Sequence, residues 1–484
     1  MFKLFSSTSS ADYDLPPLQF FNSESRQLEI FEPHKTEVRM YTCGPTVYDF
    51  VQIGNLRAFL MADIAKRTLL YNGYQVRHVM NFTDFGHLSD DADAGEDKMM
   101  KGLAREGMEV SLQNMKLLSE RYIESFKDDA AALNILEPTK YTKASDYVKA
   151  QIKLIQTLDE KGYTYATSDG LYFDISKFAT YGRLGNIQVD AQENGARVAV
   201  NPEKKHPADF AVWKNGELGW SSPWGNGFPG WHIECSAMAI TELGKQIDIH
   251  TGGIDLIPTH HNGEIAQSEC ATGKQFVKYW LHNEFLNIAG EKISKSKGNS
   301  IYLNTLQERG YSGTDYRYWL LTSHYRTNTD FTYEALDGAK QALSRLKRFV
   351  YEDCTDTSGK IEHEYRQRFA AAINEDMDTP KAIANLWAMM KDDAVSDRDK
   401  RATMMEMDQV LGLELNLDPK DGAHELGYLR APDIPEDIQQ LIDEREAARV
   451  ARNWAEADKL RDALSLKGYT IEDSAEGPKV TQTH

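Results

Sequence analysis

Three groups of residues in the 484-residue chain have the types and spacing for chemistry. Residues 291–299, EKISKSKGN, interleave three lysines with two serines and close on Gly298. Lysines spaced in this way can gather around a polyphosphate and neutralise the charge that builds on it in a transition state. The same composition also suits a solvated basic loop. Residues 52–55, QIGN, stand where a loop enters a helix. Gly54 permits close backbone approach there and a helix N-terminus attracts phosphate, although an ordinary turn before a helix reads the same way. The third group is metal-like: Cys43, Cys235 in GWHIEC, and His260 with Glu264 in HHNGEIAQ. A histidine and a glutamate four residues apart share one helical face, so two thiolates, an imidazole and a carboxylate could form a tetrahedral zinc set. The alternative is two small buried cysteines and a hydrogen-bonded polar histidine. Cys270 and Cys354 have no such company and read as structural.

These residues need elements to position them. From residue 37 to 84 the pattern predicts strand, loop, helix, strand: RMYT, the loop CGPTVYDFVQIGN, a helix carrying Leu56, Leu60 and Ile64 at fourfold spacing, a stop at Gly73, and the alternating QVRHVMNF. That is a βαβ unit, and parallel α/β folds place ligands at the carboxyl ends of their strands. Residues 115–230 mix helical stretches with aromatic, glycine-rich loops such as SSPWGNGFPGW before α/β texture resumes at QIDIHTGGIDL. A nucleotide fold split by an insertion explains that return. Beyond Tyr333 the texture turns helical, breaks at LNLDPKDGAHELGYLRAPDIPED, and ends in a small module. There Trp454, Ala457 and Leu464 are expected on one helical face, Gly468 stops the helix, and YTIED reads as a strand. A helix over residues 442–468 would hold six acidic and six basic residues, a neutral balance with no strong nonspecific pull on RNA.

At roughly 100 to 200 residues per domain, the length allows about three or four modules. Hydrophobic residues make up 41% and charged residues 27%, and no apolar run approaches the roughly 18 to 20 residues a bilayer crossing needs, so no membrane association is expected. A net charge of −19 excludes a nonspecific nucleic-acid coat, though not a shaped basic groove. Four scattered cysteines are too few for a disulfide framework and suit a reducing, cytoplasmic location. The first residues lack the marks of a targeting peptide.

YTCGPTVYD, NFTDFGH, PGWHIECSAM, DIHTGG, DLIPTHHNGE, KISKSKGN and RYWLLTSHYR occur in this order. Together they resemble the cysteinyl-tRNA synthetase family of class I aminoacyl-tRNA synthetases, from about Leu18 almost to the C-terminus. The resemblance implies an α/β fold with a Rossmann-type catalytic domain split by an insertion, then a helical bundle and a small anticodon-binding module. The expected division is a flexible tail over 1–17, the two halves of the catalytic domain over 18–115 and 231–305, and the insertion over 116–230. A stem-contact linker over 306–335, the bundle over 336–415 and the terminal module over 416–484 complete it.

The resemblance further implies one Zn2+ per chain on Cys43, Cys235, His260 and Glu264, binding the thiolate of L-cysteine. Such a bond, which serine's hydroxyl cannot match, explains why no editing module is visible. By the same resemblance Trp231 closes over the bound side chain, and Thr46, Thr83 and His250 line the pocket. Lys292 and Lys295 embrace the pyrophosphate leaving Mg2+-bound ATP, Gly54 packs under the adenine, and Asp255 lies near the ribose or base. The implied reaction is cysteine activation followed by transfer to tRNA(Cys), in a monomer. Two departures stand out. The family signature HIGH, or HIGN, is QIGN here, so Asn55 is in pattern but Gln52 replaces the first histidine, which predicts a slowed enzyme. The family's C-terminal tryptophan and arginines are missing from EDSAEGPKVTQTH. Rival readings are an ATP-dependent cysteine ligase for a small amine, and an RNA-binding paralogue with a decayed nucleotide site. Persulfide synthesis with pyridoxal phosphate on Lys98 and Lys101, or on the 291–299 lysines, competes with a solvated helix face, which is preferred.

Overall fold

The computed structural model describes residues 15–85, 98–188, 201–288, 291–292, 300–416, 434–474 and 477–482. Most of the expected tail, residues 1–14, and the lysines at 295 and 297 lie outside these residues.

A strand at Glu37–Thr42 (β1), a helix at Ile53–Tyr71 (α1) and a strand at Gln75–Phe82 (β2) form the βαβ unit that the pattern predicts. β1 and β2 pair in parallel, from Glu37 opposite Gln75 to Thr42 opposite Met80. Gly73 turns the chain between α1 and β2 at φ 82°, a left-handed conformation glycine adopts without strain. Next to β2 lies Lys140–Lys143 (β3), and the chain then returns on the other side of β1 as Ile247–Gly253 (β4) and Val277–Asn283 (β5). The order is β5-β4-β1-β2-β3, parallel throughout. β4 and β5, IDIHTGG and VKYWLHN, are almost wholly buried, as strands covered on both faces must be. Strand order reverses between β1 and β4, and the crevice outside the carboxyl ends there is where such sheets bind ligands.

Between β3 and β4 the chain builds an antiparallel sheet from Thr164–Thr167, Gly170–Phe173, Phe210–Ser222 and Gly225–Pro229, in that spatial order. Its Phe173, Val212 and Trp213 share a core with Ile155 and Leu158 of the helix Val148–Glu160. Two helices frame the return to the main sheet: Trp231–Leu243 (α2) before β4 and Asn262–Thr272 (α3) between β4 and β5.

The helices Gly313–Leu321, Tyr333–Arg348, His363–Asn374, Thr379–Met390 and Asp397–Leu411 follow. Leu336, Phe369 and Leu386 from them join Leu56 and Leu60 of α1 in one hydrophobic core. α1 is therefore covered by the sheet and by these helices, and it is buried almost all round.

The terminal module differs from the single helix expected over 442–468. It is a helical hairpin, Glu436–Val450 and Trp454–Leu466, followed by the paired strands Tyr469–Ser474 and Gly477–Gln482. Arg452 takes φ 57°, and the Asn453 side chain accepts the Glu456 N–H to start the second helix. A left-handed residue followed by an asparagine cap ends one helix and begins another, which outweighs a continuous apolar pattern. Ala457 and Leu464 are buried, but Trp454 is 58% exposed. As the first residue of its helix it stands beyond the small core of Ile438, Ile442, Leu464, Tyr469, Ile471 and Val480.

Candidate metal centre and nucleotide crevice

The loop after β1 carries Cys43 into the crevice at the switch point, and its neighbour is glycine for a steric reason. A Cβ on Gly44 would stand 1.6 Å from the Asn81 carbonyl oxygen of β2, closer than any side chain allows. The Gly44 N–H instead bonds the Asn81 side chain at 3.0 Å, fixing the loop to the sheet. Cys235 projects from the second turn of α2. His260 and Glu264 come from the segment after β4, and its geometry decides what they reach. Ile257–His261 forms a π-helical turn that runs straight into α3. A π turn inserts an extra residue into the helical repeat, and positions four and three residues before Glu264 share its face. His260 Nε2 lies 3.1 Å and His261 Nε2 3.9 Å from the same oxygen, Glu264 Oε1.

The four donors of Cys43, Cys235, His260 and Glu264 all lie within 4.8 Å of one another. Zinc bonds of about 2.3 Å to sulfur and about 2.1 Å to oxygen require tetrahedral edges of about 3.8 Å for S···S and about 3.6 Å for S···O. Cys43 Sγ is 3.9 Å from Cys235 Sγ and 3.7 Å from Glu264 Oε1. The sulfurs are far beyond the roughly 2.05 Å of a disulfide. Size and donor chemistry both fit a zinc ion.

Electrostatics favour the ligand state at Cys235 and Glu264 only; burial, with the Cys235 hydrogen bond, pushes the Cys43 thiol well above its ordinary value and His260 is raised as well, so metal binding must release a proton from each of those two. The hydrogen bond with Cys43 brings the Cys235 thiol down to about 6, against the opposing effect of burial. Burial alone would hold Glu264 neutral, but His250 and His260 carry it down to about 2. His260 is opposed by burial too, yet the Cys235 and Glu264 charges lift it to about 10. Burial keeps His232 and His282 neutral, each down to about 3, and pushes His261 well below the ordinary histidine value. Those three rings therefore act as hydrogen-bonding groups and leave the anionic donors without their charge.

A second set of four, Cys43, His250, His261 and Glu264, meets the same distance criterion. His261 Nε2 is 3.4 Å from Cys43 Sγ, while its Nδ1 is 2.7 Å from His282 Nε2, whose Nδ1 in turn meets Ser23 Oγ at 2.8 Å. His250 Nε2 is 3.1 Å from Glu264 Oε2, and the ring stacks on Trp280 at 4.6 Å. His232 Nδ1 touches His260 Nδ1 at 3.2 Å. The HH doublet was visible in the sequence, and its positions four and three residues before Glu264 flank that carboxylate on one helical face. His282 arrives from β5, which no spacing rule links to the doublet.

The remaining expected residues are distributed around this crevice. Trp231 opens α2 one turn before Cys235, with its ring 4.4 Å from that of His260 and the Lys98 ammonium 5.6 Å from the ring centre. Thr46 forms an isolated bridge with Thr83, and the buried Thr83 hydroxyl donates to Glu234 Oε2 at 3.0 Å. Burial first, and then the Cys235 charge, push the Glu234 carboxyl well above its ordinary value. Glu234 had no signal in the sequence beyond its place beside Cys235. Gln52 holds the N-cap position of α1 without a side-chain capping bond and donates its amide to Ser300 Oγ. Gly54 and Asn55 follow in the first turn of α1, which contains no acidic residue. Lys292 lies in a short strand paired with Asn287, and Asp255 is exposed in the turn Ile254–Leu256 just after β4. Lys101 is exposed on the helix Lys98–Arg105. Among the described residues no helix is long and apolar enough to cross a membrane.

Residues 30–341 match the family described as the tRNA synthetases class I (C) catalytic domain, and residues 431–480 match the cysteinyl-tRNA ligase anticodon binding domain. The chain is 44% identical over 472 residues to cysteine--tRNA ligase 1 of Burkholderia lata, covering 96% of this chain and 97% of that protein. It is 40% identical to the cysteine--tRNA ligase of Treponema denticola, covering 95% and 98%. Among solved structures, Mycobacterium tuberculosis methionyl-tRNA synthetase with methionyl-adenylate aligns over 87% of this chain and 96% of that one, at a TM-score of 0.54 and 15% identity. That likeness is one of fold.

Proposed function

The chain belongs to the cysteinyl-tRNA ligase family of class I tRNA synthetases, and from that premise we propose that it activates L-cysteine with Mg2+-bound ATP and transfers the cysteinyl group to tRNA(Cys). The observation that carries the reading is the cluster of Cys43, Cys235, His260 and Glu264 at the point where strand order reverses. Zinc bound there supplies a Lewis acid suited to a soft sulfur ligand. Around it the chain's own residues set the geometry. Trp231, against His260, walls the side-chain pocket. Thr46 and Thr83, on the loops leaving β1 and β2, face the amino and carboxyl groups, while buried His250 holds Glu264 in place.

The nucleotide lies across the N-terminus of α1, whose dipole favours phosphate oxygens. Gln52 and Asn55 border the phosphates, Gly54 lets the adenine approach the backbone, and Asp255 lies near the ribose or base. Lys292 and Lys295 gather around the departing pyrophosphate. Little covalent chemistry falls to the protein, whose task is alignment and charge stabilisation. The Glu436–Gln482 module, with Trp454 exposed, receives the anticodon, since an open aromatic face stacks on an unpaired base. The enzyme is proposed to act as a monomer in the cytoplasm, with domains divided as the resemblance implies.

The test is cysteine-dependent ATP–pyrophosphate exchange on metal-analysed protein, with serine as control and Cys43→Ser in parallel, followed by charging of tRNA(Cys). Expected are exchange with cysteine only, one zinc per chain, loss of both in Cys43→Ser, and charging of the tRNA. Exchange without charging would favour a ligase for a small amine. Zinc without exchange would favour a decayed nucleotide site.

A further inference from the structure

Resting on that reading, we propose that the Tyr41 hydroxyl donates a hydrogen bond to the Cys235 thiolate once zinc is bound, so that a buried anionic centre can hold both the metal and the thiol of cysteine. Tyr41 is a fully buried residue of β1. Side chains two apart along a strand face the same side, which puts Tyr41 on the side of Cys43, whose N–H extends the strand pairing by donating to the Thr251 carbonyl. Across the sheet Tyr41 lies opposite His250, and the two rings meet edge to face at 5.1 Å and 70°. The ring is packed in one cluster with Cys235, Val79, Met238 and Trp280. Its hydroxyl nevertheless completes no hydrogen bond among the described residues. A buried hydroxyl without a partner destabilises a fold, so it calls for an explanation.

The groups around that hydroxyl are the ligands themselves. Burial first, and then the charges of Cys235, Cys43 and Glu264, raise the phenol well above its ordinary value, and the approach to the Cys235 sulfur adds to the effect. Tyr41 therefore keeps its proton and stands at the cluster as a donor. Cys235 in turn needs a donor when it is a thiolate. Its sulfur lies 3.9 Å from Cys43 Sγ and 3.7 Å from Asn81 Oδ1. The Gly44 N–H donates to the same Asn81 oxygen, which fixes the amide with an acceptor towards Cys235, and an acceptor gives a thiolate nothing. His260 also reaches Cys235, but an imidazole nitrogen that binds a metal has no proton to donate. With the ion in place, Tyr41 is the side-chain donor left beside Cys235 among the described residues. Two thiolates and one carboxylate exceed the charge of a zinc ion by one, and the thiolate of bound cysteine adds another. A hydrogen bond to sulfur spreads part of that excess, as partners behind metal ligands do elsewhere.

Tyr41→Phe removes one oxygen and keeps the ring, and it should be compared with the unaltered protein after chelation and after reloading with metal. Without metal the variant should unfold at the same denaturant concentration as its parent or higher, because the hydroxyl bonds nothing there. With metal, the zinc dissociation constant should rise about tenfold in a competition titration. In the cobalt-loaded form the sulfur-to-metal charge-transfer band should move to longer wavelength, since a thiolate without a donor holds its electrons less tightly. In exchange assays the KM for cysteine should rise while that for ATP holds. An unchanged dissociation constant overturns the proposal, and so does weaker binding with an unmoved band, which would mark the hydroxyl as packing. A variant that is less stable than its parent without metal, or fails to fold, would show the hydroxyl already bonded within the fold and overturns it as well. Failure of the unaltered protein to bind zinc would remove the reading on which the bond rests, whereas equal zinc binding by both proteins removes the Tyr41 bond alone.

Discussion

Gln52 is the residue whose chemistry departs furthest from the family signature. Its amide is nearly buried and spends its donor on Ser300, at the end of the lysine segment. An imidazolium here would add charge to a phosphate contact, a difference worth about 1 to 2 kcal/mol and so roughly ten- to thirtyfold in rate. Gln52→His is therefore expected to raise the rate of adenylate formation by about that factor, and an unchanged pre-steady-state rate would refute the effect. Sequence alone identified this position because a deviation within a short signature is local information. It could not show that Ser300, 248 positions away, takes the amide's hydrogen bond.

Elements decide whether the donors converge. The loop bearing Cys43 can lie against β2 only because Gly44 has no Cβ to strike the Asn81 carbonyl oxygen. Gly44→Ala must lift that loop, and it is expected to abolish zinc retention and cut cysteine-dependent exchange at least tenfold while far-ultraviolet circular dichroism stays unchanged. Zinc content equal to that of the unaltered protein would show that the loop tolerates the shift. The βαβ unit was legible because apolar spacing and Gly73 both mark it. The π turn at Ile257–His261 was not, since an extra residue in a helical turn has no signature in composition. The break at Arg452 was equally hidden, and with it the exposure of Trp454. Loss of one stacked base costs about 1 to 3 kcal/mol. Trp454→Ala should thus raise the KM for tRNA(Cys) about tenfold and leave exchange unaltered, a split that steady-state kinetics with and without tRNA would reveal.

At the scale of the whole molecule, one buried ionic junction ties the catalytic sheet to the helices that follow it. Asp63 of α1 accepts from Arg67 at 2.8 Å, from Arg317 at 2.6 Å and from the Leu136 N–H at 2.8 Å. Arg67 continues to the Gln409 and Asn134 carbonyls, and Arg317 to those of Leu411 and Leu133. All three side chains are fully buried. Burial works against the Asp63 carboxylate, but the two guanidinium groups overcome it and hold the group below its ordinary value. A depressed carboxyl stabilises the fold above its unfolded value near 4, and that contribution disappears as pH falls through the folded value. Asp63→Asn leaves two buried cations poorly matched and should cost about 3 to 5 kcal/mol at pH 7. In denaturant titrations the gap between variant and parent should narrow below about pH 4, and a gap independent of pH would exclude the charge as its source. The i,i+4 spacing of Asp63 and Arg67 allows a pair on one helix, but nothing announced Arg317, 254 positions from Asp63 with no periodic relation to either. By itself the sequence determined the α/β class, the terminal module and the residue types suited to a thiol-binding metal, since these rest on local periodicity and side-chain chemistry. Tertiary structure alone decided that β1 and β4 lie side by side, that five histidines crowd around one carboxylate and two thiols, and that the Asp63 charge is balanced. Those outcomes depend on which distant segments pack together, and packing is a property of the assembled core.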